Sequence, residues 1–250
     1  MLKDRIAKHV EKWPWLYYPA RLVLRCFCSS LACKLRRILK NEQSLRFVQV
    51  GANDGLMGDP IRQLVLSHPE WRGIFVEPVR DYFRRLRQNY RNEGRFVFEN
   101  VAIGSEDAAL PFFHISPEFG ELGWRQGAAC FDKNQLIKLC GSRIEPYIVE
   151  SSVKVITFDA LCKKNDVERV DLLLMDTEGY EYKILATVNF ERYRPWIIAL
   201  EHKHLQDDEF RAMLNLLKRK GYSTTLHGED LLAINPANHR ARPASLPRRG

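Results

Sequence analysis

The sequence predicts an α/β fold in which a mostly parallel sheet carries helices on both faces. Three observations predict it. From Leu45 onward, short apolar runs of β type alternate with amphipathic stretches of helical period, the pattern of successive βαβ units with right-handed crossovers. Four of these runs end in small or acidic residues: Gly51-Ala52-Asn53-Asp54-Gly55, then Glu77-Pro78, then Asn100-Val101-Ala102-Ile103-Gly104, then Asp176-Thr177-Glu178-Gly179. Glu77 stands 22 residues beyond Gly55, near the ~20 expected of a ribose-binding carboxylate. Ligands of open α/β sheets lie outside the carboxyl ends of the strands, so the four segments mark one nucleotide-type pocket.

The elements follow in order. A strand over 46–50 meets the glycine loop. Asp59-Pro60 reads as an N-cap with proline at the first helical position, and the helix behind it carries Ile61, Leu64 and Val65. A strand over 73–77 leads to a helix from about 79 to 90, with Val79, Phe83, Leu86 and Tyr90 on one face and Gly94 just past its end. A strand over 95–99 follows. Residues 105–150 then break the rhythm. Leu110 to Ile115 reads as a strand, and 117–127, rich in Gly, Glu and aromatics, as a loop. Such a segment either carries substrate contacts over the sheet's carboxyl end or is an ordinary surface insertion. Strands over 153–156, 171–175 and 196–201 lead to Thr157-Phe158-Asp159, to Asp176 with a helix from about Glu178, and to Glu201-His202. Asp207-Asp208 opens a helix that Gly221 closes. Residues 222–226 and 231–234, around His227-Gly228-Glu229-Asp230, read as a closing hairpin.

The chain divides into three parts: a basic amphipathic helical extension over 1–43, the α/β domain over 44–235 that carries the pocket, and a basic disordered tail over 236–250. The formal charge of +8 sits at the ends. Residues 1–43 hold ten Lys/Arg against three Asp/Glu, and residues 236–250 hold four Arg and no acid, which leaves the domain between them at −3. That distribution speaks against a nucleic-acid enzyme, which needs its basic residues around the pocket. Leu24, Cys28, Leu31, Leu35 and Ile38 recur at three- or four-residue spacing, with Arg25, Ser29, Arg36 and Lys40 on the other side. The helix either packs on the core or makes peripheral contact with an anionic membrane, helped by the aromatic stretch Trp13 to Tyr18. No uncharged apolar run reaches the ~18 residues of a membrane span. Cys26, Cys28, Cys33, Cys130, Cys140 and Cys162 lack metal-site spacing and read as free thiols in a reducing compartment, so a cytoplasmic location is expected, peripheral to a membrane if the extension binds one.

The first loop sets the cofactor class. A dinucleotide fingerprint needs Gly-x-Gly-x-x-Gly so that backbone can approach a pyrophosphate. Here Asn53 stands in place of the second glycine, and Asp54 would repel the anion. S-adenosylmethionine, which has no phosphate but carries a sulfonium, an ammonium and a ribose diol, fits better. Asp54 suits the two cationic groups and Glu77 the diol.

These segments, with Thr157-Phe158-Asp159, Tyr180-Glu181 and Ile198-Ala199-Leu200-Glu201, resemble the FkbM-type family of S-adenosylmethionine-dependent O-methyltransferases. The resemblance implies a Rossmann-like, seven-stranded class I methyltransferase sheet. It implies a cofactor held by Gly51, Asn53, Gly55, Glu77 and Asn100, with Ala52, Asp54, Pro78, Ala102 and Asp176 on the same loops. It implies methyl transfer to a hydroxyl, commonly of a sugar, glycan or polyketide. An alcohol is a poor nucleophile, so a base or a metal must act on it. Asp176, Glu201 and His202, at two neighbouring strand ends, are the catalytic candidates: either His202 is the base, or the three hold Mg2+ or Mn2+, as similar positions do in metal-dependent O-methyltransferases. His204 is the weaker base candidate, and Glu181 and Lys183 read as helix-surface or supporting groups. The competing function is an inactive scaffold of the same fold that docks a membrane or partner; a nucleic-acid methyltransferase comes third.

Overall fold

A computed structural model describes residues 31–120 and 127–240. The strands, in chain order, are β1 (Arg46–Val50), β2 (Arg72–Val76), β3 (Phe96–Glu99), β4 (Ala102–Gly104), β5 (Ala108–Ile115), β6 (Ala129–Cys130), β7 (Ile148–Thr157), β8 (Leu172–Met175), β9 (Ile197–Glu201), β10 (Ser223–His227) and β11 (Asp230–Ile234). Seven of them form one sheet in the order β10-β11-β9-β8-β1-β2-β3. β3, β2, β1, β8 and β9 are mutually parallel, and β11 runs antiparallel to both β9 and β10. The chain moves outward from β1 through β2 to β3, then returns to the other side of β1 with β8. The reversal leaves a crevice outside the carboxyl end of β1, where a ligand of such a sheet binds.

Strand alternation divides the core between two faces. Val48, Val50, Ile74, Leu173, Met175, Ile198 and Leu200 point one way and pack against α6 (Glu181–Thr187) and α8 (Asp207–Arg219) through Ile184, Leu185, Met213 and Leu217. Phe47, Phe75, Leu172, Leu174, Ile197 and Ala199 point the other way, against α1 (Leu31–Leu39), α2 (Arg62–Ser67) and α3 (Arg80–Asn89). Leu31, Leu35 and Leu39 of α1 are buried in that second cluster, so the described part of the N-terminal extension is a packing helix. Residues 1–30, with the aromatic stretch, lie outside the described residues. The N-cap expected at Asp59 is displaced: α2 begins at Arg62 behind Ile61, and Asp59 Oδ1 instead closes the turn before it, accepting from the backbone N–H of Ile61 at 2.8 Å and Arg62 at 3.1 Å.

Two expectations are corrected. The strand read at Leu110 to Ile115 is present as β5, but the 105–150 segment is more than one strand and a loop. β4, β7, β5 and β6 pair in that order into a second sheet, so the strand expected over 153–156 is the end of the ten-residue β7. This unit carries α4 (Lys133–Cys140) and its own small core of Ile115, Ala128, Cys130, Leu136, Cys140 and Ile144. Its apolar residues form a contiguous patch only across the two strands and the helix, a pairing that no local period announces. The second correction is to the tail. Pro236–Arg240 is a helical turn, held where Asn238 Nδ2 donates to Pro195 O at 2.9 Å and His239 lies 4.0 Å from the Trp196 ring. Residues 241–250 lie outside the described residues.

Candidate active site

The ladder of the parallel sheet continues one step beyond the strands, and this fixes the pocket floor. Gly51 N–H donates to Val76 O, Glu77 N–H to Glu99 O and Asp176 N–H to Val50 O, each at 3.0 Å. The ends of β1, β2, β3 and β8 are thereby held side by side. Gly51 has φ +78, and a Cβ there would stand 1.8 Å from Asp176 O; only glycine lets the two loops approach this closely. Asn53, at φ +50, also occupies the left-handed region, where Asn is tolerated.

Glu77 organises the loop. It is only 5% exposed. Its Oε2 accepts from Asn53 N–H and its Oε1 from Val79 N–H, both at 2.8 Å, so one carboxylate ties the glycine loop to the start of α3. Burial pushes its pKa up to about 7, with the charges of Asp176 and Asp54 adding to the rise. Asn100 Nδ2 donates to Glu77 O at 2.8 Å and Pro78 O at 3.0 Å, and neither bond uses its Oδ1. Gly55, at φ +69, lies against Leu86 and Tyr90, and Arg62 donates to its carbonyl at 3.3 Å. Ala52 is buried and donates to Val76 O. Two of the candidate cofactor residues also serve the fold. Asp54 Oδ1 accepts from Leu56 N–H and Met57 N–H at 2.8 Å, so this oxygen closes the loop. Ala102 lies in β4 of the second sheet, its methyl buried with Val79, Tyr82 and Val155.

At the other wall, Asp176-Thr177-Glu178-Gly179 turns sharply. Glu178 has φ +55 and Gly179 φ +101. The turn is closed by Glu181, which is 1% exposed and is thus no surface group. Its Oε1 accepts from Thr177 N–H at 2.7 Å and Thr177 Oγ1 at 2.9 Å, and its Oε2 from Gly179 N–H at 3.1 Å. Burial raises its pKa to about 7. Of the two roles the sequence left open for Glu181, surface or supporting, the structure selects the supporting one. Lys183 stays on the helix surface, 3.8 Å from Glu209.

The turn aims Glu178 at Glu201 and a histidine. That histidine is His204, and the expectation for His202 is corrected. Alternation along β9 sends Glu201 and His202 to opposite sides. The His202 ring lies 5.0 Å from Phe210, and its buried Nε2 has no hydrogen-bond partner among the described residues. A turn in which Leu205 N–H donates to His202 O at 3.2 Å then swings His204 back. His204 Nε2 stands 3.4 Å from Glu178 Oε2 and 3.6 Å from Glu201 Oε2. Burial, reinforced by Asp176, holds both carboxyls well above the usual carboxylate range, and burial together with Lys203 lowers His204. The charge of Asp176 adds to the rise of all four carboxyls, Glu77, Glu178, Glu181 and Glu201.

The second sheet reaches both walls. Asn53 Nδ2 contacts Gly127 O at 3.5 Å; Gln135 Nε2 on α4 donates to Glu178 O at 2.6 Å; the rings of Phe131 and Tyr180 are 4.9 Å apart. The 105–150 unit therefore bridges the glycine loop and the acidic turn. A separate hollow of about 520 Å³, lined by Phe190, Arg194, Lys220 and Tyr222, lies at the amino ends of β9 and β10, away from all of these groups.

The floor fits an adenosyl cofactor without phosphates. The cradle is closed to any side chain at residue 51, and a buried carboxylate stands just past the end of β2. Residues 49–224 match the methyltransferase FkbM domain. No curated protein matches the chain. Similar solved structures include a methyltransferase from Geobacter sulfurreducens (12% identity, 93% of this chain and 96% of that one, TM-score 0.45). A precorrin-6y C5,15-methyltransferase from Geobacter metallireducens GS-15 (10%, 82% and 87%, TM-score 0.43) and a fibrillarin/Nop5p complex (13%, 79% and 77%, TM-score 0.44) are also similar.

Proposed function

The chain belongs to the FkbM methyltransferase family, whose members are S-adenosylmethionine-dependent, and from that premise we propose that it methylates a hydroxyl, of a sugar, glycan or polyketide-type acceptor. One observation carries the reading. One strand end ties two acidic groups together: Asp176 N–H donates to Val50 O beside the glycine loop that Glu77 organises, and two residues on, Glu178 belongs to the Glu178–Glu201–His204 cluster. An alcohol must be relieved of its proton as it attacks, so proton-accepting groups belong where the acceptor enters.

S-adenosylmethionine supplies a methyl group made electrophilic by its sulfonium. The chain supplies the rest. Glu77 accepts hydrogen bonds from the ribose hydroxyls, and the loop from Gly51 to Gly55 follows the nucleoside and amino-acid portions. Asn100 holds the Glu77-Pro78 backbone in place. Asp176 faces the cationic end. The Glu178–Glu201–His204 cluster stands where the acceptor hydroxyl enters, and the 105–150 unit, through Phe131 and Gln135, shapes the acceptor side and excludes water from it. The test is transfer of labelled methyl to a panel of sugars, glycans and polyketide alcohols. Label on a hydroxyl supports the reading. Binding of S-adenosylmethionine with no transfer to any hydroxyl, or with transfer to RNA, contradicts it.

A further inference from the structure

The structure assigns a divalent-cation site to Glu178, Glu201 and His204, at the reacting end of the pocket. The ligand atoms are Glu178 Oε2, Glu201 Oε2 and His204 Nε2, and all three lie within 4.8 Å of one another. The imidazole nitrogen stands 3.4 and 3.6 Å from the two carboxylate oxygens. Those spacings are too long for good hydrogen bonds. They are close to the edge of a coordination polyhedron: ligands about 2.1 Å from one ion, at tetrahedral to octahedral angles, are about 3.0–3.4 Å apart.

A second observation points to a ligand. Glu178 Oε2 is buried and has no hydrogen-bond partner among the described residues, yet it is aimed into the cluster. Such an atom costs stability unless something satisfies it. The surrounding charge has the matching sign. Asp176, Glu181 and Glu229 face the group, and the nearby cation Lys203 is paired with Glu229 at 2.7 Å. Two carboxylates and one imidazole suit Mn2+ or Zn2+ ahead of Mg2+ or Ca2+, which prefer all-oxygen sites. Three protein ligands leave coordination positions open, as in catalytic rather than structural sites. The purpose of the ion, to orient and polarise an acceptor oxygen, rests on the hydroxyl-transfer reading; its binding does not.

The test uses the full chain, stripped with a chelator and dialysed, and titrated with Mn2+ while the free ion is followed by electron paramagnetic resonance. The wild type should take up one Mn2+ per chain, displaceable by Zn2+. Glu201→Gln and His204→Ala should each weaken uptake at least tenfold, and His202→Ala should not. Calorimetry with S-adenosylmethionine verifies that each variant is folded, because none of these residues lies at the ribose end. Mn2+ should also raise the thermal midpoint of the wild type and not of Glu201→Gln. Absence of saturable uptake of Mn2+ or Zn2+ by the wild type, or equal uptake by folded Glu201→Gln and His204→Ala, overturns the site. Uptake as described without methylation of any hydroxyl leaves the ion site standing and overturns only the acceptor reading.

Discussion

Gly51 and Glu77 illustrate what single positions must do in this pocket. Gly51 is required twice, by its φ of +78 and by the approach of Asp176 O. Gly51→Ala should lose binding of S-adenosylmethionine and at least about 2–3 kcal/mol of stability from strain and overpacking, measurable by urea unfolding. Glu77 makes a pH prediction with two opposite signs. Its pKa is raised from 4.5 to about 7. Below pH 7 it loses the charge that accepts the ribose hydroxyls, so affinity for S-adenosylmethionine should fall as pH drops from 8 to 6, approaching tenfold per unit in the limit. The ligand-free protein should do the reverse. Glu77, Glu181 (about 7) and Asp59 (about 6) bind protons more tightly folded than unfolded. The stability this gives is present below the unfolded values and is lost as pH rises through about 4.5–7. Calorimetry and urea melts across that range check both signs; a flat binding profile contradicts the role of Glu77. The acid itself was legible from its spacing. His204 was not, because the reversal after β9 that exchanges it for His202 depends on a tertiary turn and on Phe210, not on any period in the chain.

Among the elements, strands 46–50, 171–175 and 196–201 were readable because each is apolar, short and ends at a pocket residue; the closing hairpin was readable from its Gly228 turn. The second sheet was not, since its antiparallel partners β5 and β7 are separated by a helix and a loop. Its contacts to the glycine loop and the acidic turn are the ground for the proposed acceptor-side role. Gln135→Ala removes a hydrogen bond to Glu178 O, worth about 1 kcal/mol, and should raise KM for the acceptor with little change in affinity for S-adenosylmethionine. An equal loss of both would mean that the unit only supports the fold. Helix α1 makes a separate prediction. Leu35 is fully buried against the sheet, so Leu35→Ala should cost about 2–4 kcal/mol. With Leu31, Leu35 and Leu39 committed to the core, the membrane expectation narrows to residues 1–30. Sedimentation with anionic liposomes should capture the full chain and release it at high salt, and a chain lacking residues 1–30 should not be captured; equal behaviour removes the idea.

Across the whole molecule, charge and topology agree. The net negative domain places acids at the carboxyl ends of β2, β8 and β9, around the switch point beside β1, and the chain's excess of Lys and Arg lies toward its two ends. Among the described residues no helix is long and apolar enough to cross a membrane. Under the proposed reading, the β1–β2 floor holds S-adenosylmethionine through Glu77 and presents its methyl to a hydroxyl at the β8–β9 wall. The most direct measurement is transfer of labelled methyl from S-adenosylmethionine to a panel of alcohol acceptors by the wild type and by Glu77→Ala, with cofactor affinity measured on the same preparations. The account predicts a labelled methyl ether from the wild type, and a loss of cofactor affinity in Glu77→Ala on the order of 2–3 kcal/mol, roughly thirty- to a hundredfold. Undiminished binding by Glu77→Ala, or label that appears only on nitrogen or carboxyl acceptors, would contradict it.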